Sequence, residues 1–224
     1  MMSIQLPLGV QLRDSATFAS FYSAQNRQLL VALKEMRETC VYFWGKAGTG
    51  KSHLLQALCH EKANEGWRVA YLPLAETGLM PAMLDDMDQF DLVCMDDLQS
   101  VAGHKDWEIA LFHFYNRIQS RAGRLVISAT QAPTSLPLEL PDLISRLGWG
   151  LVFQLHELAD EDKQAALQLR AQARGLELTD EVASYLLRRV PRDMTSLFAL
   201  LERLDEASLA AQRKLTIPFV REFV

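Results

Sequence analysis

Eight consecutive residues, Gly45-Lys46-Ala47-Gly48-Thr49-Gly50-Lys51-Ser52, constrain this chain more than any other stretch. They fit the pattern of a glycine, four free positions, then Gly-Lys-Ser/Thr. Val41-Tyr42-Phe43-Trp44, a short run with β-branched and aromatic character, precedes them, and His53 to Leu58 reads as helix. Strand, glycine loop and helix together are the context in which this pattern cradles phosphate. Glycines let backbone N–H groups curl around phosphate oxygens, and the helix N-terminus adds a favourable partial charge. Lys51 is then expected to reach the β/γ-phosphates and the Ser52 hydroxyl to ligate Mg²⁺. Lys46, Ala47, Gly48, Thr49 and His53 complete the expected nucleotide-binding set. The bland alternative is a glycine turn without a ligand, which leaves the match at all eight positions to coincidence.

A length of 224 residues suits one domain, or a large one with a small one. The net charge of −5 argues against a surface built mainly to hold nucleic-acid phosphates. Cys40, Cys59 and Cys94 are odd in number and scattered through apolar segments, so they read as reduced structural thiols. The histidines show no metal-ligand spacing. No leader-like segment and no run of membrane-spanning length is found, which makes the cytoplasm the expected compartment and a membrane an unexpected partner.

Residues 1–13 carry Pro7 and Gly9 in a short apolar piece that cannot form a core element. They read either as a frayed terminus or as a linear peptide whose Gln5, Leu6 and Leu8 anchor in another protein's pocket. Asn26 is placed to cap a helix over Arg27 to Arg37, with Leu29, Leu30, Leu33 and Met36 as its apolar stripe. Phe18, Phe21 and Tyr22, just before it, either staple the segment to the core or line a base pocket. Four further strands are expected at Arg68–Leu72, Asp91–Met95, Arg124–Ser128 and Leu151–Leu155, with helices at Leu54–Glu65 and Trp107–Gln119. Near-continuous apolar strands alternating with helices predict a parallel sheet covered on both faces. From Asp160 the pattern is helical alone: Lys163–Arg174 ending at Gly175, Asp180–Arg189, and a helix opening at Pro191 and running to Ala211.

Candidate chemistry gathers at the strand ends. Asp96 closes an apolar strand and is expected to hold Mg²⁺, directly or through water, while Asp97 orients an attacking water. Ser128 or Thr130, closing the next strand, is the candidate to place water or sense phosphate. Arg146 precedes the last strand in a segment with little other reason to carry a cation. An arginine supplied across a subunit boundary stabilises phosphoryl-transfer charge and is worth roughly 10³–10⁵ in rate. The alternative is a surface ion pair with Asp142 or Glu139. Arg192, after Pro191, is the candidate to report nucleotide state to the helical segment.

The glycine loop, Asp96-Asp97, Ser128-Ala129-Thr130, Ser145-Arg146-Leu147-Gly148-Trp149-Gly150 and Pro191-Arg192-Asp193, in this order, resemble an AAA+ ATPase of the bacterial initiator (DnaA) group. Thr17-Phe18-Ala19-Ser20-Phe21 and Lys51-Ser52-His53-Leu54-Leu55 share that group's wording. The resemblance implies an α/β P-loop AAA+ fold: a five-stranded parallel sheet of order 5-1-4-3-2, helices on both faces, and a small all-helical lid. The corresponding division is a peptide at 1–13, a nucleotide-binding domain at 14–158 and the lid at 159–224. It also implies an arginine finger at Arg146 and a second sensor at Arg192. Two departures stand out: Asp97 replaces the Glu usual in strongly hydrolytic relatives, and Thr130 replaces an acid common in initiators.

Gln5-Leu6-Pro7-Leu8 looks like a sliding-clamp-binding peptide. The chain reaches Val224 without a C-terminal helix-turn-helix segment, so sequence-specific origin binding is not expected. An initiator core joined to a clamp tether resembles the DnaA-related proteins of regulatory inactivation of DnaA. The resemblance implies three partners: a nucleotide (ADP or ATP), the DNA polymerase III sliding clamp β subunit, and a DnaA-type initiator whose ATP is hydrolysed with help from Arg146. Its own nucleotide is expected to be ADP, with weak turnover. Pairing of two chains into a homodimer stays open. Rival expectations are a helicase-loader or transposition-accessory ATPase, a small-molecule kinase, and a nucleotide-dependent scaffold.

Overall fold

The computed structural model describes residues 16–22, 24–191 and 193–224. Gln5, Leu6 and Leu8 of the expected peptide, and Arg192, lie outside the described residues. The described residues divide into two compact units, one of Ala16 and Thr17 with Asn26–His156, the other of Phe18–Gln25 with Glu157–Val224.

The first unit is built on a five-stranded sheet of order β2-β3-β4-β1-β5, the order the resemblance implies. Its strands are β1 (Cys40–Trp44), β2 (Val69–Pro73), β3 (Leu92–Asp96), β4 (Arg124–Ala129) and β5 (Leu151–Gln154). All pairings are parallel, and parallel neighbours need crossover helices that cover the faces. The central strands are accordingly buried along nearly their whole length, whereas β5 at one edge is largely exposed.

Strand alternation divides the core. Tyr42, Leu72, Val93, Met95 and Ile127 face α3 (Lys105–Ser120) and α4 (Pro141–Trp149), where Leu111, Phe114, Tyr115, Ile118, Leu143 and Leu147 complete one cluster. The apolar residues of α3 recur every three or four positions, which keeps them on one side of the helix. On the other face α2 (Lys51–Asn64) packs against β2, β3 and β4, and α1 (Arg27–Glu35) against β1. Cys40, Cys59 and Cys94 are all buried free thiols, and burial pushes Cys40 up to about 12, as befits inert structural cysteines. No helix of the described residues is long and apolar enough to cross a membrane.

The second unit contains α5 (Asp160–Gln172), α6 (Asp180–Arg189), α7 (Met194–Ala211) and α8 (Ile217–Val220). They close around Leu167, Val182, Leu186, Leu197, Leu201, Leu204 and Phe219. Arg174 joins the end of α5 to α7 through Glu202 at 2.7 Å and Asp205 at 3.4 Å.

Three details differ from the sequence expectation, each because another group in the fold offers a competing contact. Helix α7 opens at Met194, three residues after Pro191, because the Asp193 carboxylate accepts the Ser196 N–H at 2.8 Å and caps the helix there. Asn26 precedes α1 but makes no side-chain cap. Its side chain instead accepts from the His156 N–H at 2.9 Å and donates to the His156 carbonyl at 3.1 Å. The expected C′ glycine, by contrast, is in place: Gly175 takes φ 74°, with the Leu176 N–H on the Ala171 carbonyl and the Gly175 N–H on the Gln172 carbonyl, both at 2.9 Å. Finally, Phe18–Gln25 belongs to the helical unit, although 14–158 reads from the sequence as a single domain. Tyr22 donates to Asp162 at 3.1 Å and Arg170 to Ser20 at 3.3 Å, stitching that segment to α5.

Glu108 fixes the approach to α4. This carboxylate, 1% exposed on α3, accepts N–H groups from Gly103 at 2.8 Å, Glu139 at 2.9 Å and Leu140 at 2.7 Å. Leu140 is the N-cap position of α4, so the negative charge also meets the positive end of that helix. Replacing Glu108 by Ala strands three donors, and urea unfolding should show a loss of about 3 kcal/mol or more. A loss below about 1 kcal/mol would contradict this role.

Candidate nucleotide-binding site

Gly45 to Gly50 connect the end of β1 to the start of α2. Gly48 and Gly50 adopt φ 80° and 98°, a left-handed backbone that side chains resist. Gly45 is held by closeness: a Cβ there would lie 2.6 Å from the Leu155 carbonyl oxygen. The loop is tied to the sheet by the Gly45 N–H on the Ala129 carbonyl at 3.1 Å, and internally by the Thr49 hydroxyl on the Lys46 carbonyl at 2.9 Å. Leu54 is the first amide of α2 to bond back along the helix, to Gly50 at 3.0 Å. The amides ahead of it belong to the first turn, the end of a helix whose donors suit an anion.

Lys51 lies beneath the loop, 7% exposed, donating to the carbonyls of Gly45 at 3.0 Å and Lys46 at 3.1 Å. A buried ammonium held by two loop carbonyls fixes a positive charge against the glycine loop. Lys46, Ala47 and Gly48 are exposed, and Ser52 and His53 half-buried. The His53 ring bonds the Thr17 carbonyl at 2.9 Å.

Parallel pairing brings the remaining candidates to the same end of the sheet. In register, Phe43 pairs with Ser128 and Trp44 with Ala129, while Met95, just before Asp96, pairs with Ile127, just before Ser128. Asp96 is 2% exposed. One of its oxygens accepts from the Tyr71 hydroxyl at 2.8 Å and the other from the Ser128 hydroxyl. Burial first, and then the Asp96 charge, raise Tyr71 above the usual phenol range, so this hydroxyl stays a donor. The Ser128 hydroxyl accepts in turn from the Asp97 N–H at 3.2 Å. Asp97 sits in left-handed backbone at φ 59°, uncommon for a residue with a side chain. Gln99 donates to its carboxylate at 2.8 Å and accepts the Thr130 N–H at 3.1 Å.

Asp96, Asp97, Ser128 and Thr130 are thus brought into one hydrogen-bonded chain. Ser128 is fully buried and its hydroxyl engaged in that chain, whereas Thr130 is half-buried. Tyr71 and Gln99 join the site without a sequence signal, since each reaches it from another strand or turn. As a direct magnesium ligand Asp96 fits poorly: it is 2% exposed, and the hydrogen bond that each oxygen accepts from within the protein fixes the carboxylate in place. Ser52 is half-buried at the head of α2. Among the described residues there is no group of three or more His, Cys, Asp or Glu side chains arranged to hold a metal ion.

Arg146 lies in the last turn of α4 and is half-buried. Its guanidinium stacks on Trp149, 4.1 Å from the ring centroid, and that indole is 64% exposed. Among the described residues it forms no ion pair with Asp142 or Glu139. The Glu139 N–H is held by Glu108, as described above.

Two protein families match the chain. The bacterial DnaA ATPase domain matches residues 16–154, and the lid domain of Hda matches residues 160–224. Domain III of the Thermotoga maritima replication initiation protein DnaA superposes with a TM-score of 0.79 at 21% identity, covering 94% of this chain and 96% of that one. AMPPCP-bound DnaA from Aquifex aeolicus superposes at 0.74 with 23% identity, covering 87% of this chain and 66% of that one. The present chain therefore spans less than two thirds' worth, by a narrow margin, of the Aquifex protein. A RuvB mutant of Thermotoga maritima gives 0.65 at 16% identity, over 90% of this chain and 68% of that one. At these identities the structural likenesses establish the fold, which initiators share with RuvB. With the fold, the glycine loop and the two family matches agreeing along the chain, it belongs to the DnaA-related AAA+ ATPase family and carries a lid of the Hda type.

Proposed function

We propose that this chain regulates replication initiation by stimulating hydrolysis of ATP bound to a DnaA-type initiator, with Arg146 acting on the partner's phosphates. Arg146 is the observation that carries the reading. It answers no carboxylate of its own chain among the described residues, is braced by an exposed indole at a helix end, and is half open to solvent. A stacked guanidinium is pre-ordered, so little rotamer freedom is lost when it meets a phosphate. The DnaA ATPase-domain and Hda-lid matches support an initiator as the neighbour that receives it.

In this reading the glycine loop, with Lys51 beneath it and the Ser52 and His53 amides at its rim, holds an adenine nucleotide, expected to be ADP. The Aquifex relative's bound AMPPCP supports the adenine choice. Asp97, the candidate for orienting water, is occupied by Gln99, which accords with weak turnover of the chain's own nucleotide. Thr130, with its half-buried side chain, takes the phosphate-sensing role in preference to Ser128. Arg192 takes that of the second sensor. The segment bearing Gln5, Leu6 and Leu8 docks on the DNA-loaded sliding clamp, raising the local concentration of the protein near newly replicated DNA. In this reading the protein works in the cytoplasm.

Lys51→Ala should abolish nucleotide binding measured by calorimetry; unchanged affinity would remove the phosphate assignment. In a reaction with clamp on DNA and ATP-charged initiator, Arg146→Ala should lower the stimulated rate by a factor of order 10³. The combined change Gln5→Ala, Leu6→Ala and Leu8→Ala should abolish dependence on the clamp. Stimulation by the Arg146 variant equal to wild type would overturn the trans-acting arginine, and surviving clamp dependence would overturn the tether.

A further inference from the structure

Asp96 ends β3 at the level where an acid would face a nucleotide-bound metal, yet its surroundings direct it elsewhere. The parallel register pairs Tyr71 of β2 with Cys94 and Pro73 with Asp96. Tyr71 and Asp96 therefore project from the same face of the sheet as diagonal neighbours, a separation of about 7–8 Å at the backbone that an aromatic side chain spans. The Tyr71 hydroxyl closes the gap to 2.8 Å. From the strand on the other side, Ser128 donates to the second oxygen.

The three side chains are 3%, 2% and 0% exposed for Tyr71, Asp96 and Ser128, so water does not compete for the carboxylate. Helix α2 lies over this face: Gln56 donates to the Tyr71 hydroxyl at 3.4 Å, and Cys59 meets Cys94 beside it. The phenol is consequently packed in place with its donor aimed at Asp96. Asp97 is engaged in parallel by Gln99 at 2.8 Å. Magnesium in nucleotide sites is usually held by one or two carboxylates together with phosphate oxygens and waters. Here both neighbouring acids already have donors from within the protein.

We propose that Tyr71 is a positioning residue that withholds Asp96 from magnesium, so that the chain binds its nucleotide with little help from the metal and turns it over slowly. This rests on the reading of the chain as one that holds a nucleotide, and it names the side chain responsible. Tyr71 contacts neither nucleotide nor metal; it acts through Asp96. A phenylalanine there keeps the ring packing and removes only the donor, which frees one carboxylate oxygen. Removing the Ser128 hydroxyl frees the other.

The test measures ADP affinity by calorimetry in EDTA and in magnesium for wild type, Tyr71→Phe, Ser128→Ala and Tyr71→Phe combined with Asp96→Asn. Wild type should change less than about threefold between the two conditions. Tyr71→Phe should gain about tenfold or more in magnesium while its affinity in EDTA stays near wild type. The double variant should lose that gain, because Asp96 is the group set free. A merely structural defect would shift both conditions together. Should Tyr71→Phe fail to fold, Ser128→Ala carries the same expectation.

Strong magnesium dependence in wild type, or equal dependence in wild type and both single variants, would overturn the inference while leaving nucleotide binding intact. Absence of ADP binding by wild type in either condition would overturn it together with the nucleotide assignment.

Discussion

Parallel pairing of β1 with β4 and of β4 with β3 is the constraint on which the rest of this structure depends. It makes three strands end side by side, so that a glycine loop, a buried acid and a hydroxyl from sequence-distant segments share one rim. The strands are nearly all apolar because both faces are covered, and that leaves polar residues a place only at the ends. The site is thus a consequence of the sheet, and α2 begins where the loop must release the chain. The same register carries Tyr71 to Asp96 from the opposite side.

A buried carboxylate needs donors, and the two instances here use them differently. Glu108 spends its charge on three backbone amides and thereby fixes the entry into α4, the helix that carries Arg146. Asp96 is satisfied by two side-chain hydroxyls, Tyr71 and Ser128, and becomes part of the rim's internal wiring. Charged hydrogen bonds of this kind are worth about 1.5–3 kcal/mol each. They stabilise the strand ends, and under the role proposed for Tyr71 they also quiet the chain's own site. Among the described residues Arg146 pairs with no such acid, and its guanidinium stacks on the exposed Trp149 ring.

Much of this was legible because it is local. The glycine loop names its residues by spacing, and the apolar runs of β1 to β5 name the strands. The helical pattern after Asp160 marks the second unit. What escaped the sequence depends on partners far along the chain. Asn26 has the composition of a cap, but the His156 backbone, 130 residues away, offers it two hydrogen bonds. One miss was local: Pro191 suits a first helical turn, yet Asp193, two residues on, supplies the actual cap of α7. Tyr71 reads as one more aromatic in a strand, and only the register turns its hydroxyl toward Asp96. Glu108 did leave a trace: it falls on the face of α3 that carries Leu111, Tyr115 and Ile118, where a lone charge needs a buried partner. Phe18–Gln25 joined the helical unit through Tyr22 and Ser20, contacts that proximity to the glycine loop in sequence did not foretell.

The proposed function is a division of labour, with a nucleotide held by the loop and catalysis directed at a neighbour. Single-turnover labelling addresses it directly. Initiator is charged with one isotopically labelled ATP and this protein with another, and the two are mixed with clamp on DNA. The account predicts that the initiator's label is converted to ADP while the label on this chain persists. Conversion of this chain's own label with the initiator's ATP left intact would contradict it.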